Sequence, residues 1–384
     1  MKMLRLPRPM VKVGVLLPWN VYDGDGLLLL SRGHVVENEN QLDQLLLRGA
    51  FVDAAAARVV ERERVTPEPP KRPMAPPNLF ALWDQTTEAL KTLLHNWEGQ
   101  PDFAGRVDRF AHHILGLLDV NPDVGIYRTV RQDNAQNVHY GYSHSVHTAV
   151  LCILMSRHLQ WPKNRMMSLV KAALTMNITI LDLQGQMAGQ NMPMRDSQRL
   201  VIEQHPAQSV ALLKKAGITD ADWLEAVAQH HERPDGSGYP VAATEVCEMA
   251  VALRVTDVFM AKISPRALRE ALSPQEAVRQ LYREDNGGPL STAVIKEFGI
   301  YPPGDFVKLA SGELGIVVQR TSNARAPIVA VITDTAGRLI SQTIRHDSGQ
   351  AKYAIVGKET DKAMLKRLPP ERLYGFSVVP HAQT

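Results

Sequence analysis

The stretch His230-His231-Glu232-Arg233-Pro234-Asp235-Gly236-Ser237-Gly238-Tyr239-Pro240 concentrates the chemistry of this chain. Two imidazoles, a carboxylate, a guanidinium and a phenol fall within eleven residues, punctuated by two glycines and two prolines. The spacing predicts a helix over Ala221 to His231, so the histidines close its last turn. Neighbours on a helix point about 100° apart. The pair can therefore present nitrogen to two adjacent points, such as two metal ions. Gly236 and Gly238 allow a tight turn, and Pro240 stops regular structure from resuming at once. The alternative is a polar helix end, because histidine favours a last turn and glycines follow helices anyway. Two other histidine pairs stand out. His112-His113 has no acidic or glycine motif beside it and reads as surface or packing. His144 and His147 lie about one helical turn apart.

The longer string decides between these readings. HHERPDGSGYP resembles the second signature of the HD-GYP family, part of the HD phosphohydrolase superfamily. Flanking residues fit as well: His144-Ser145 at a helix start, His205-Pro206, Arg254-Val255-Thr256-Asp257, then Arg266 and Arg269. The likeness covers roughly residues 140–300. It implies an HD-type helical bundle with His144, His205, His230, His231 and Asp257 as metal ligands. It further implies cyclic-di-GMP as substrate and Fe or Mn as metal, since imidazole and carboxylate donors suit such ions. In active relatives the metals generate hydroxide from water and clamp the phosphate oxygens. Arg233, Arg266 and Arg269 would bind phosphate. Gly238-Tyr239-Pro240 matches a motif that in some relatives contacts diguanylate cyclase domains.

The likeness fails at the dyad that names the family. Its H-D-I-G-K falls here on Met176-Asn177-Ile178-Thr179-Ile180. Asn177 is neutral and cannot bridge two ions as a carboxylate does. Met176 offers a soft thioether to hard cations, and Ile180 removes a cation. One weak metal site, or none, is expected. Asp182 is the nearest carboxylate to the lost dyad but lies five residues beyond Asn177.

Other features bound the class. The chain has 384 residues, 45% hydrophobic and 22% charged, with net charge +3, which suits a multidomain globular protein. The mild basicity fits an anionic small ligand, and there is no concentrated basic face for a nucleic-acid polymer. No apolar run reaches the ~20 residues of a membrane span, and the basic start lacks a signal-peptide core. Cys152 and Cys247 are far apart, so free thiols and a cytoplasmic location are expected.

In order, Val11–Leu17 and Leu27–Leu30 read as strands around the turn at residues 22–26, and Asn38–Leu47 as a helix. This gives a small α/β module over 1–53. Residues 54–78 hold Pro67, Pro69, Pro70, Pro73, Pro76 and Pro77 and read as an extended linker. Residues 79–300 are helical, with segments Leu79–Trp97, Phe103–Leu118, Tyr142–Leu159, Lys163–Ile180, Asp196–Lys215, Ala221–His231, Val246–Ile263, one opening at Ser273-Pro274, and Leu290–Phe298. Pro206 is expected to split the fifth. Asn121–Asn137 reads as irregular and Leu181–Met194 as a loop. Short β-rich runs fill 301–384: Phe306–Leu309, Gly315–Gln319, Ile328–Thr333 and Leu339–Ile340. The expectation is a mainly α protein, an HD-type helical bundle between a small N-terminal α/β module and a C-terminal β-rich segment. In function it is a degenerate HD-GYP-like receptor or protein-interaction module in cyclic-di-GMP signalling. The alternatives are an active phosphodiesterase, favoured by the five retained ligand positions, and a metal-free scaffold of the HDOD kind.

Overall fold

A computed structural model describes residues 3–47, 49–58, 78–98, 101–132, 139–359 and 369–375. Most of the Pro-rich linker lies outside them. The chain divides into two compact units, Met1–Ala81 with Asp305–Thr384, and Leu82–Gly304. The two terminal pieces, separate in sequence, thus share one unit.

The N-terminal part holds β1 (Met3–Arg5), β2 (Val21–Tyr22), β3 (Leu28–Leu30), α1 (Glu39–Leu47) and β4 (Phe51–Asp53). Its sheet is antiparallel in the order β1-β4-β2-β3. Trp19, Val21, Val36, Leu42 and Val52 form its core. The expected strand over Val11–Leu17 does not form. Gly14 turns the chain at φ +79°, and only Leu16 bridges Val35.

The helical unit comprises α2 (Leu79–His95), α3 (Phe103–Val120), α4 (Pro122–Val130), α5 (Tyr140–His158), α6 (Lys163–Thr175), α7 (Leu181–Gly189), α8 (Asp196–Lys215), α9 (Ala221–Gln229), α10 (Glu248–Ile263), α11 (Pro274–Glu284) and α12 (Pro289–Phe298). α5 is its axis. Every residue from Thr148 to Ser156 is buried, which marks a helix surrounded by others. It packs against α6, α7, α10 and α12. Full burial of Leu151 or Ile153 contributes about 1.5–3 kcal/mol each. Cys152 is buried there with its Sγ 3.2 Å from the Thr256 hydroxyl. Cys247 is free and half-buried, and caps α10.

Three expectations are corrected here. The segment after residue 121 is a helix, α4, because Asn121 accepts from the amides of Asp123 and Val124 and Pro122 occupies the first position. Residues 133–138 of that stretch lie outside the described residues. The supposed loop after residue 181 begins with α7, whose Gly185 is buried rather than a breaker. Pro206 does not split its helix: α8 runs unbroken through it.

The chain then returns to β structure with β5 (Phe306–Leu309), β6 (Leu314–Gln319), β7 (Ile328–Thr333), β8 (Leu339–Asp347) and β9 (Ile355–Lys358), followed by α13 (Pro370–Tyr374). The sheet is antiparallel in the order β8-β7-β6-β5-β9. β8 runs well past the Leu339–Ile340 run, and its Thr343 hydroxyl and Arg345 guanidinium donate to the Arg372 and Leu373 carbonyls of α13.

Candidate metal centre

His205, on α8, and His230 and His231, just past α9, bring one ring nitrogen each to within 4.8 Å of the others. The His205 and His230 Nε2 atoms stand 3.1 Å apart. His231 has its ring centroid 4.1 Å from that of His230 and 5.1 Å from that of His205.

The backbone sets the tautomers. His205 Nδ1 lies 2.6 Å from the Ile202 carbonyl, and His230 Nδ1 lies 2.7 Å from the Val227 carbonyl. A carbonyl only accepts, so both Nδ1 atoms carry the proton. Both Nε2 atoms of neutral rings then present lone pairs to each other at 3.1 Å. No proton is left to join them unless one ring becomes a cation. Burial opposes that. It holds His205 down at about 3, with His230 adding to the effect, and it lowers His230 and His231 as well. Converging lone pairs on buried neutral imidazoles form a site for a cation. Two bonds of about 2.1 Å to one ion place their nitrogens about 3.0–3.4 Å apart between right-angled and tetrahedral geometry. The donor set therefore fits a divalent metal.

Pro206 has a part in this. A helical proline cannot donate to the carbonyl four residues back, which is that of Ile202. The carbonyl so released takes the His205 N–H. The residue expected to break the helix instead fixes the tautomer of its neighbour. At the other helix, Asp220 caps α9 by accepting from the Trp223 amide at 3.1 Å. The helix stops at Gln229, so both histidines fall in the turn beyond it.

His144 and Asp257 are brought to each other. His144 Nε2 lies 2.7 Å from Asp257 Oδ1. Asp257 is buried, which works against its ionisation, but His144 followed by His231 and His230 holds its carboxyl well below the usual range. Neither residue belongs to the three-histidine cluster. Tyr140 stacks on His144 with the rings 11° apart, and Arg266 donates to the Tyr140 hydroxyl at 2.7 and 3.1 Å. Of the three arginines expected at phosphate, Arg266 is thus committed to Tyr140. Arg269 donates to the Ala261 carbonyl, and Arg233 is exposed. Neither the Tyr140 contact nor the two backbone carbonyls is legible in the order of residues.

The loop after the histidines is fastened from within. The buried Glu232 carboxylate accepts from the amides of Val241 and Ala243 at 2.8 and 2.9 Å. A side chain at Gly238 would meet the Arg233 nitrogen and Glu232 Cα at 2.5 Å, so only glycine fits. Tyr239, linked to Pro240 by a cis peptide, stacks on His231 at 4.5 Å. The Gly238-Tyr239-Pro240 motif thereby backs one of the imidazoles.

Met176 and Asn177 are buried at the end of α6, and Ile180 is buried beside them in sequence. Asp182 does not stand in for the dyad. It accepts from the Tyr142 hydroxyl at 3.2 Å, and that hydroxyl also faces His95 Nδ1 at 2.9 Å. His147 is kept neutral, lowered to about 3 by burial and then by His144 and Arg128.

Residues 128–287 match the family model described as an HD domain. The segment is similar to HD domains, and it makes up less than half of the chain. A cyclic di-GMP phosphodiesterase of Pseudomonas aeruginosa is 30% identical to the chain over 186 residues, which are 47% of this chain and 45% of that protein. The chain thus spans about half the length of that relative. An HDG"Y"P protein from Bdellovibrio bacteriovorus is similar in structure at a TM-score of 0.47 and 15% identity, over 76% of this chain and 98% of that one. Met176, Asn177, His205, His230 and His231 all lie inside the matched segment. Among the described residues no helix is long and apolar enough to cross a membrane.

Proposed function

We infer that this HD-like segment holds one divalent metal on His205, His230 and His231, with Fe or Mn implied by the family resemblance rather than by the three imidazole donors. In this reading it acts in cyclic-di-GMP signalling as a receptor or interaction module with little or no phosphodiesterase activity. The reading rests on one contrast. The three imidazoles converge and the Nε2 lone pairs of His205 and His230 face each other, while the positions that would hold a second ion carry a thioether and a neutral amide. When bound, a divalent ion supplies Lewis acidity toward phosphate oxygens. The chain's own residues do the rest: Ile202 and Val227 orient the imidazoles, Tyr239 covers one of them, and Glu232 fixes the loop.

Asp257 favours a second reading, hydrolysis, because a buried ionised carboxylate beside His230 and His231 could join them in holding a metal ion. The test is turnover. Protein prepared without oxygen is loaded separately with Fe(II) or Mn(II) and incubated with cyclic-di-GMP, and the nucleotides are separated by chromatography. Intact nucleotide together with saturable binding by calorimetry is the expected result. Formation of pGpG or GMP that disappears in His230→Ala would establish hydrolysis instead. Restoring the dyad by Met176→His with Asn177→Asp is expected to raise metal content from one to two ions per chain. An unchanged stoichiometry would refute the assignment of those two positions.

A further inference from the structure

The donors of the histidine cluster are all of one kind. His205, His230 and His231 each bring a ring nitrogen, and among the described residues no carboxylate or thiolate joins them. Two positions that could supply an anionic oxygen do not. Asn177 is a neutral amide, buried just past α6. Asp257 turns Oδ1 to His144 Nε2 at 2.7 Å. Both cysteines are engaged elsewhere, Cys152 beside Thr256 and Cys247 at the start of α10.

These donor types decide which ion suits the cluster. The 3.1 Å between the His205 and His230 Nε2 atoms serves four ligands or six alike. Mn(II) takes carboxylate, carbonyl and water oxygens, and facial sites for Fe(II) pair two imidazoles with a carboxylate. Three neutral imidazoles fit neither pattern. Mn(II) and Fe(II) also stand lowest in affinity among the first-row divalent ions. Zn(II) takes three imidazoles readily, with a fourth position left to solvent.

Burial points the same way. His205 and His230 are both 0% exposed. A six-coordinate ion on three imidazoles would draw three further ligands from water in that interior, whereas a four-coordinate ion needs one. The outer hydrogen bonds are already in place, from His205 and His230 Nδ1 to the Ile202 and Val227 carbonyls at 2.6 and 2.7 Å. Ligating histidines almost always make such bonds, which fix the ring and raise its basicity.

We propose, on the three-histidine reading above, that this cluster is a four-coordinate Zn(II) site rather than the Fe or Mn centre that the family resemblance implies. The test begins with whole protein stripped by chelator. It is dialysed without oxygen against equal concentrations of Zn(II), Fe(II) and Mn(II), and the bound metals are counted by elemental analysis. One Zn per chain is expected, with Fe and Mn close to none, and His231→Ala should lose the zinc. Asp257→Asn should keep it, because the carboxylate is not among the donors. Coordination number is read separately from Co(II) loaded in place of Zn(II) in the unaltered protein, which remains informative if a variant fails to fold. Four-coordinate Co(II) absorbs visible light far more strongly than six-coordinate Co(II), and the strong bands are expected. Fe or Mn displacing zinc, weak cobalt bands, or zinc lost from folded Asp257→Asn would each overturn the zinc assignment while leaving a metal on the histidines. No bound ion at all, or zinc that survives in His231→Ala, would instead overturn the three-histidine reading itself, and the zinc site with it.

Discussion

Two histidine pairs in the helical unit meet at hydrogen-bonding distance, and they differ in kind. His144 meets Asp257 at 2.7 Å, an imidazole against a carboxylate. His205 meets His230 at 3.1 Å, an imidazole against an imidazole, with both Nδ1 protons already given to backbone carbonyls. The first pair is joined by a proton between the two side chains, although His144 Nδ1 is buried without a hydrogen-bond partner among the described residues. The second is complete only with a cation between or beside the nitrogens. Burial sharpens the difference, because it drives the histidine cluster neutral, while the hydrogen bond with His144 holds the Asp257 carboxyl below its usual range. A contact distance alone would rank the two pairs as equals; the proton count separates them.

Removing one member of each pair should give opposite signatures. The largest effect is expected from His230→Ala. Metal content by elemental analysis should fall from one ion per chain to none. With it goes the metal-dependent rise in stability, about 2.7 kcal/mol when free metal is a hundred times its dissociation constant. Metal-free protein should lose far less, since the variant removes one of two facing lone pairs. If metal content survives, the three-histidine centre is wrong. Asp257→Ala should act the other way round. It removes a hydrogen bond to a charged group and orphans a buried imidazole nitrogen, costing about 3 kcal/mol by urea unfolding in the presence of chelator. Equal losses for the two variants in chelator would erase the distinction between the pairs.

Much of this site was readable from residue order. HHERPDGSGYP located the histidines, and His205 and Asp257 followed from the same resemblance. The helices around them are legible as long apolar stretches, because α5, α6 and α10 bury most of their length. What sequence could not carry was partner choice. Nothing in the order of residues says that Asp257 takes His144 rather than the cluster, or that Arg266 spends its donors on Tyr140. Those choices depend on helix rotation within the bundle. The errors share another cause. Local propensity reads 181–194 as a loop and Pro206 as a helix break, yet tertiary burial of Gly185 and Pro206 outweighs a propensity cost of about 1 kcal/mol for glycine and about 3 for proline.

Pro206 offers the finest test of the comparison, because fold and site should respond with opposite signs. In Pro206→Ala the new amide N–H can bond the Ile202 carbonyl, as in any helix interior. His205 Nδ1 then loses its acceptor, and the ring no longer has a fixed tautomer. Such loss of an orienting partner typically weakens metal binding about 10-fold or more. The helix itself gains up to about 3 kcal/mol of propensity, less the packing lost when a buried ring shrinks to a methyl group. Metal-free protein should therefore unfold at equal or higher urea concentration while its metal dissociation constant rises about 10-fold. A variant whose metal affinity matches that of the parent would mean that the Ile202 carbonyl does not set the His205 tautomer. The two facing lone pairs would then need another origin.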